Sequence, residues 1–269
     1  MFRARLISSI ILLVITLSVV VFGRELLLAT LFIVAMIGMM ELNRVIKIHK
    51  SVPGVLSYVA GTIFYLLLYI QQQRYDMMLF ITFLMLLMFA YVFGFPKFKT
   101  EEITTAFFGF FYVGVMLSYI YQVRSLDNGE ILVWLIFIGA WGSDTFAYCT
   151  GMLIGKHKIA PKLSPKKSLE GCIGGVVGAS LLGGLFALVL RPWIHGIVNP
   201  PIVFAIIGGA SSIISQVGDL AASAIKRNHD VKDYGTLIPG HGGVLDRFDS
   251  VIFTAPVVYY LAVMIIRYH

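Results

Sequence analysis

Ile202-Val-Phe-Ala-Ile-Ile-Gly-Gly-Ala-Ser-Ser-Ile-Ile-Ser-Gln-Val-Gly-Asp219-Leu-Ala-Ala222 is almost wholly apolar or small, yet it contains one carboxylate. A run of about 20 such residues has the length of a helix that crosses the hydrocarbon of a bilayer. A carboxylate at the middle of a bilayer helix costs roughly 2.5–3.5 kcal/mol even on the lenient insertion scale, so one inside such a run calls for a cation, a partner side chain or a watered cavity to compensate it. The same pattern recurs at Trp141-Gly-Ser-Asp144-Thr-Phe-Ala-Tyr148, inside the apolar stretch Ile131–Ile154. The other twelve of the fourteen acids lie outside the expected spans. Asp144 and Asp219 are therefore where chemistry is expected, against the plainer reading that nearby bases simply neutralise them.

The composition agrees with a polytopic membrane protein. Hydrophobic residues make up 58% of the 269 and charged residues only 13%, against about 25% charged in soluble domains. The fold class expected is all-α, with about nine transmembrane helices. The candidates are Leu6–Phe22, Leu26–Met40, Val55–Ile70, Met77–Phe93, Ile103–Gln122, Ile131–Ile154, Cys172–Leu190, Ile202–Ala222 and Val251–Ile266. The first has a charged start like a signal peptide, but no small-residue cleavage site follows, so it reads as a retained helix. Sixteen of the 21 Lys and Arg fall at the N-terminus and in the even-numbered loops; Arg24, Arg74, Arg124, Arg191 and Arg267 fall opposite. That asymmetry places the N-terminus and the even loops in the cytoplasm, consistent with the inner (plasma) membrane of a cell. The net charge of +7 is then mostly topological. It implies attraction to anionic membrane lipids and no nucleic-acid partner. Cys149 and Cys172 have no disulfide or zinc-ligand spacing.

No repeat or long hydrophilic segment is evident; residues 1–130 read as N-terminal membrane helices and 131–269 as the catalytic region. Polarity concentrates in two loops, Gly155–Gly171 and Lys226–Ser250, each following a helix that carries one of the two buried acids. Asp219, Ser223 and Arg227 recur at four-residue intervals, one stripe of a helix leading from membrane to cytosol, with Lys226 beside it. Glycines in Gly235–Gly243 permit close backbone approach, and amides with cations there suit phosphate oxygens. Asp246 and Asp249 share a face if this stretch opens the last helix. Oxygen-only carboxylates suit Mg²⁺, which takes one or two acids together with substrate phosphates. Ser164-Pro-Lys166-Lys167-Ser168 puts hydroxyls and cations before a helix N-terminus, again a phosphate setting. Gly151-Met-Leu-Ile-Gly155-Lys156-His157 is not a Walker A loop, being one residue short with His157 at the magnesium position. Gly171-Cys-Ile-Gly174-Gly175-Val-Val-Gly178 signals close helix packing, within the chain or in a homodimer.

The run Ser223-x-Ile225-Lys226-Arg227, Lys232-Asp233-x-Gly235-x-x-Ile238-Pro239-x-His241-Gly242-Gly243-Val244-x-Asp246-Arg247-Phe248-Asp249 resembles the C-terminal pattern of the phosphatidate cytidylyltransferase (CDP-diacylglycerol synthase) family. Trp141-x-x-Asp144-Thr-x-Ala-Tyr148 and the Gly155–Gly171 loop resemble it too, and the likeness is specific over about Trp141–Asp249. Leu169 departs from the tryptophan of many members. The resemblance implies synthesis of CDP-diacylglycerol and pyrophosphate from CTP and phosphatidate with Mg²⁺. By matching position it makes Asp144, Asp219, Asp246 and Asp249 metal candidates. Lys166, Lys167, Lys226, Arg227 and Arg247 become phosphate candidates.

Within that set, Asp219 and Asp246 are assigned first to the metal, with a second cation of unknown identity allowed. Lys167, Lys226 and Arg247 are assigned to the transferring or leaving phosphate, and His241 to orienting a phosphate or protonating pyrophosphate. Ser164, Ser223, Lys232, Gly242 and Gly243 complete the expected substrate contacts. The rival reading is a cation-coupled transporter binding its ion at Asp144 and Asp219, which leaves the glycine-rich basic loop unexplained. A CDP-alcohol phosphotransferase is disfavoured, since its Asp-x-x-Asp-Gly-x-x-Ala-Arg pattern is absent.

Overall fold

The structure, a computed structural model, describes residues 2–267. The described residues form eleven α-helices and hold no β-strand beyond two isolated bridges. Among the described residues, eight helical segments are long and apolar enough to cross a membrane, and α1 (Phe2–Phe22) adds a shorter apolar run, Ile10–Phe22. Large apolar side chains such as Phe93 and Leu153 stand more than 80% exposed, as a lipid solvent requires and water would not tolerate. The molecule is an all-α integral membrane protein.

The chain forms two compact units. The first joins Met1–Ser118 to His229–Arg247. It contains α1, α2 (Arg24–Val45), α3 (Val52–Tyr69), α4 (Asp76–Phe93) and α5 (Thr100–Gly109). Ser51 caps α3 by accepting the Gly54 amide, with Pro53 in the first turn, both favoured there because the first N–H groups of a helix have no internal partner. The core of this unit is aromatic: Phe110 meets Phe83 edge-on at 5.1 Å and Phe64 at 6.0 Å. After α5 the backbone widens to a π turn over Phe110–Val115.

The second unit joins Tyr119–Asn228 to Phe248–His269. It is built from α6 (Met116–Arg124), α7 (Gly129–Phe137), α8 (Ser143–Ile154), α9 (Leu169–Val189), α10 (Pro200–Asn228) and α11 (Leu245–Arg267), α6 and α11 having their first residues in the other unit. Helix α9 packs on both α8 and α10. The Gly171–Gly178 pattern is used within the chain: a Cβ at Gly171 would stand 2.8 Å from the Ala147 carbonyl oxygen of α8, and one at Gly175 would stand 3.0 Å from that of Ser143. On the other side, a Cβ at Gly208 of α10 would lie 2.7 Å from the Ala179 carbonyl oxygen of α9. Backbone cannot rotate away as a side chain can, so Gly208→Val must separate the helices. We expect a loss of about 1–3 kcal/mol, seen as a lower thermal midpoint in detergent; an unchanged midpoint would refute this packing.

The apolar pattern placed the spans, but several ends and two interiors differ. The fifth span differs by the π turn at Phe110–Val115 and the last by starting at Leu245 rather than Val251. Helix α10 runs past Ala222 to Asn228, because the Ser223–Arg227 stripe continues the helix into polar sequence. Helix α9 begins at Leu169 rather than Cys172, since Ser168 caps it by accepting the Gly171 amide at 3.2 Å. Helix α2 extends past Met40 to Val45 and so includes Glu41. The sixth span is not one regular helix: residues 138–142 form a π turn immediately before Ser143 and Asp144. Such widenings are frequent at functional sites.

Candidate active site

In the second unit, Lys167 and Asp219 form an ion pair, Nζ to Oδ2 2.6 Å. Lys167 comes from the loop before α9 and Asp219 from the interior of α10. The Lys167 ammonium also donates to the Gln216 carbonyl at 3.3 Å, and the Gln216 amide donates to the Cys172 carbonyl at 3.1 Å, which fastens α10 to α9 one turn from Asp219. Ser143 and Ser212 share a 2.7 Å hydroxyl contact that ties α8 to α10. Neither charge is sealed off: the side chains are 18% and 32% exposed. They can therefore exchange partners with an incoming anion or cation without the large desolvation cost of a buried pair.

Lys167 also lines a cavity of about 500 Å³, together with Asp144, Tyr148, Lys158, Lys166 and Ser168. The loop that brings the lysines there is closed by an antiparallel bridge between Lys158 and Ser168. Glu170, in the first turn of α9, accepts the backbone amides of Lys156 and His157 and pairs with His157 Nδ1. Ser164 turns the loop, its carbonyl accepting the Lys167 amide at 3.1 Å. Asp144, Lys166 and Lys167 thus line one cavity, and Asp219 is paired to Lys167. Lower on the same stripe, Ser223 and Lys226 are half-buried and Arg227 is exposed in the last turns of α10.

In the first unit, the glycine-rich loop is organised by its own acids. Asp246 is buried, and its Oδ2 accepts the amides of Tyr234 at 2.8 Å and Gly243 at 2.9 Å. Glu41 accepts the amides of Val244 at 3.0 Å and Leu245 at 2.8 Å. Lys232 and Arg247 are exposed, whereas His241 and Gly242 are half-buried; the His241 amide closes a turn on the Ile238 carbonyl. Asp249, which belongs to the second unit, is buried and accepts the Ser250 amide.

Two residues of this arrangement escaped the sequence reading. Glu170 carried a signal, an acid two residues before the expected start of α9 at Cys172. Glu41 carried none, because it reads as the first charge after a span and its partners lie 203 and 204 residues away.

A hard divalent cation suits this donor set, which is made of carboxylate oxygens. Among the described residues no group of three or more His, Cys, Asp and Glu is placed to hold a metal ion. A magnesium ion held by fewer acids would need water and substrate phosphate to complete its shell.

A model of the cytidylyltransferase family matches residues 3–265. The chain belongs to the cytidylyltransferase family. A Bacillus subtilis (strain 168) protein named phosphatidate cytidylyltransferase is 31% identical over 265 residues, covering 96% of this chain and 97% of that one. One of the same name from Staphylococcus haemolyticus is 34% identical over 260 residues, covering 94% and 96%. A third, from Thermotoga maritima, is 39% identical over 148 residues, covering 55% and 54%. The cytidylyltransferase match takes in the N-terminal helices, and with them Glu41, as well as Trp141–Asp249.

Proposed function

We propose that this cytidylyltransferase converts CTP and phosphatidate into CDP-diacylglycerol and pyrophosphate. The observation that carries the reading is the half-open Lys167–Asp219 pair beside a cavity holding Asp144, Lys158 and Lys166, in a chain whose full-length relatives bear that enzyme's name. A phosphatidate phosphate oxygen forms the new bond to the α-phosphorus of CTP. The bond from that phosphorus to the β-bridging oxygen breaks, and its electron pair leaves with pyrophosphate. The second pKa of a phosphate monoester is near 6, so the nucleophile is already ionised at neutral pH. The barrier is electrostatic and positional: two polyanions must meet in line.

Lys158, Lys166 and Lys167 answer that problem by drawing both anions to the cavity and holding the phosphates there. Asp144 and Asp219 are the residues of this unit that would hold magnesium. When bound, the ion neutralises phosphate oxygens and polarises the reacting phosphorus. Asp246, whose Oδ2 accepts two amides of the glycine-rich loop, is the acid of that loop that would hold a cation. An apolar groove of about 390 Å³ between α9 and α10, lined by Ile173, Val176, Ile213 and Val217, shares Cys172 with the polar cavity. This adjacency supports a substrate with a charged head and hydrocarbon tails. The charge asymmetry of the loops supports a cytoplasmic N-terminus and cytoplasmic loops at 155–171 and 226–250 in the inner membrane.

Purified protein given CTP, phosphatidate and Mg²⁺ should release pyrophosphate in step with CDP-diacylglycerol. Cation flux in proteoliposomes with no nucleotide chemistry would instead establish the transporter reading.

A further inference from the structure

We propose that Glu41, on α2, is a positioning residue for the reaction: it holds the glycine-rich loop and the start of α11 in the one arrangement that presents Asp246 and Arg247. The proposal rests on the functional reading above, in which this loop serves the reaction.

Glu41 is 4% exposed although it is ionisable and lies within a membrane-spanning helix. Its two carboxylate oxygens are used separately, Oε1 on the Val244 amide and Oε2 on the Leu245 amide. These amides lie at the very start of α11, where N–H groups have no partner within the helix. An anion there also meets the positive end of the helix dipole. The loop is shaped to fit around this carboxylate. A Cβ at Gly235 would stand 2.4 Å from Oε1, and one at Gly243 would stand 2.5 Å from both oxygens. Any side chain at either glycine displaces Glu41. Asp246 completes the lock through the Tyr234 and Gly243 amides, so the two acids between them hold four amides of a single loop.

The chemistry requires a carboxylate. Two neighbouring N–H groups need two acceptors, and glutamine offers one oxygen and an NH₂ group that would face an amide donor. Buried N–H groups left without acceptors cost more than the bond itself contributed, so the start of α11 and the loop would shift to find others. Reaction rates are sensitive to displacements of about 1 Å. Aspartate keeps both oxygens but is shorter by one methylene.

The test is steady-state kinetics of CDP-diacylglycerol formation by full-length protein in detergent, with thermal midpoints measured on the same samples. For Glu41→Gln we expect kcat to fall at least about tenfold, with KM for CTP and phosphatidate within about threefold of wild type. Glu41→Asp should recover part of the lost kcat. Asn43→Ala is the control: Asn43 donates to Ser57 on α3 at 3.1 Å, so this variant loosens α2 without touching the loop and should leave kcat near wild type. If Glu41→Gln fails to insert, Gly243→Ala displaces the same carboxylate by its Cβ and should show the same loss of kcat. The proposal is overturned if Glu41→Gln keeps kcat within twofold, or if Asn43→Ala loses kcat equally. A wild-type protein that makes no CDP-diacylglycerol sinks the functional reading and this proposal together. An active wild type with an active Glu41→Gln sinks this proposal alone.

Discussion

Asp219→Asn is expected to lower CDP-diacylglycerol formation by about 10²–10³-fold, the scale on which single electrostatic contributors to a transition state are lost. Asparagine keeps the shape of the side chain and one acceptor oxygen, so the Lys167 ammonium still has a hydrogen-bond partner. What disappears is the negative charge 2.6 Å from that ammonium, and with it the proposed ligand for a hard cation. Because both side chains are partly exposed, the pair contributes about 1 kcal/mol or less to folding. The variant should therefore insert, stay helical by circular dichroism and melt close to wild type while turnover collapses. Near-normal turnover would remove Asp219 from the chemistry.

Lys167→Met should be nearly as severe, about 10²-fold, for two reasons that act together. It takes a cation from the cavity and leaves Asp219 without its partner. Methionine matches the lysine stem in volume, so packing of the loop against α10 should survive. Lys167→Arg separates the two reasons. It restores the charge, but a planar guanidinium cannot place one compact donor on both Asp219 and the Gln216 carbonyl. We expect it to recover part of the rate, with the remaining deficit chiefly in KM for phosphatidate. Equal rates for Met and Arg variants would show that charge at this position is irrelevant.

Much of this architecture was legible from the residues because length and hydropathy are local properties. Ile202–Ala222 could only be a buried or membrane helix, and a carboxylate within it demanded compensation; Asp219 has that compensation in Lys167. The Ser168 cap and the Asp246–Asp249 start of α11 also follow from short-range rules of helix ends. Distances across the chain do not follow from such rules. Nothing local distinguishes Lys167 from Lys166 as the partner of Asp219, since the choice depends on how α9 and α10 pack at glycines.

The run of residues by itself determined that this is a helical membrane protein, where most spans lie, and that two acids needed partners, because transfer energies and helical periodicity act residue by residue. The tertiary structure alone decided which lysine answers Asp219, that the backbone widens before Asp144, and that Glu41 caps a helix 204 residues later. Those outcomes are set by close packing and by the need of every buried N–H for an acceptor, conditions that exist only once distant segments have met.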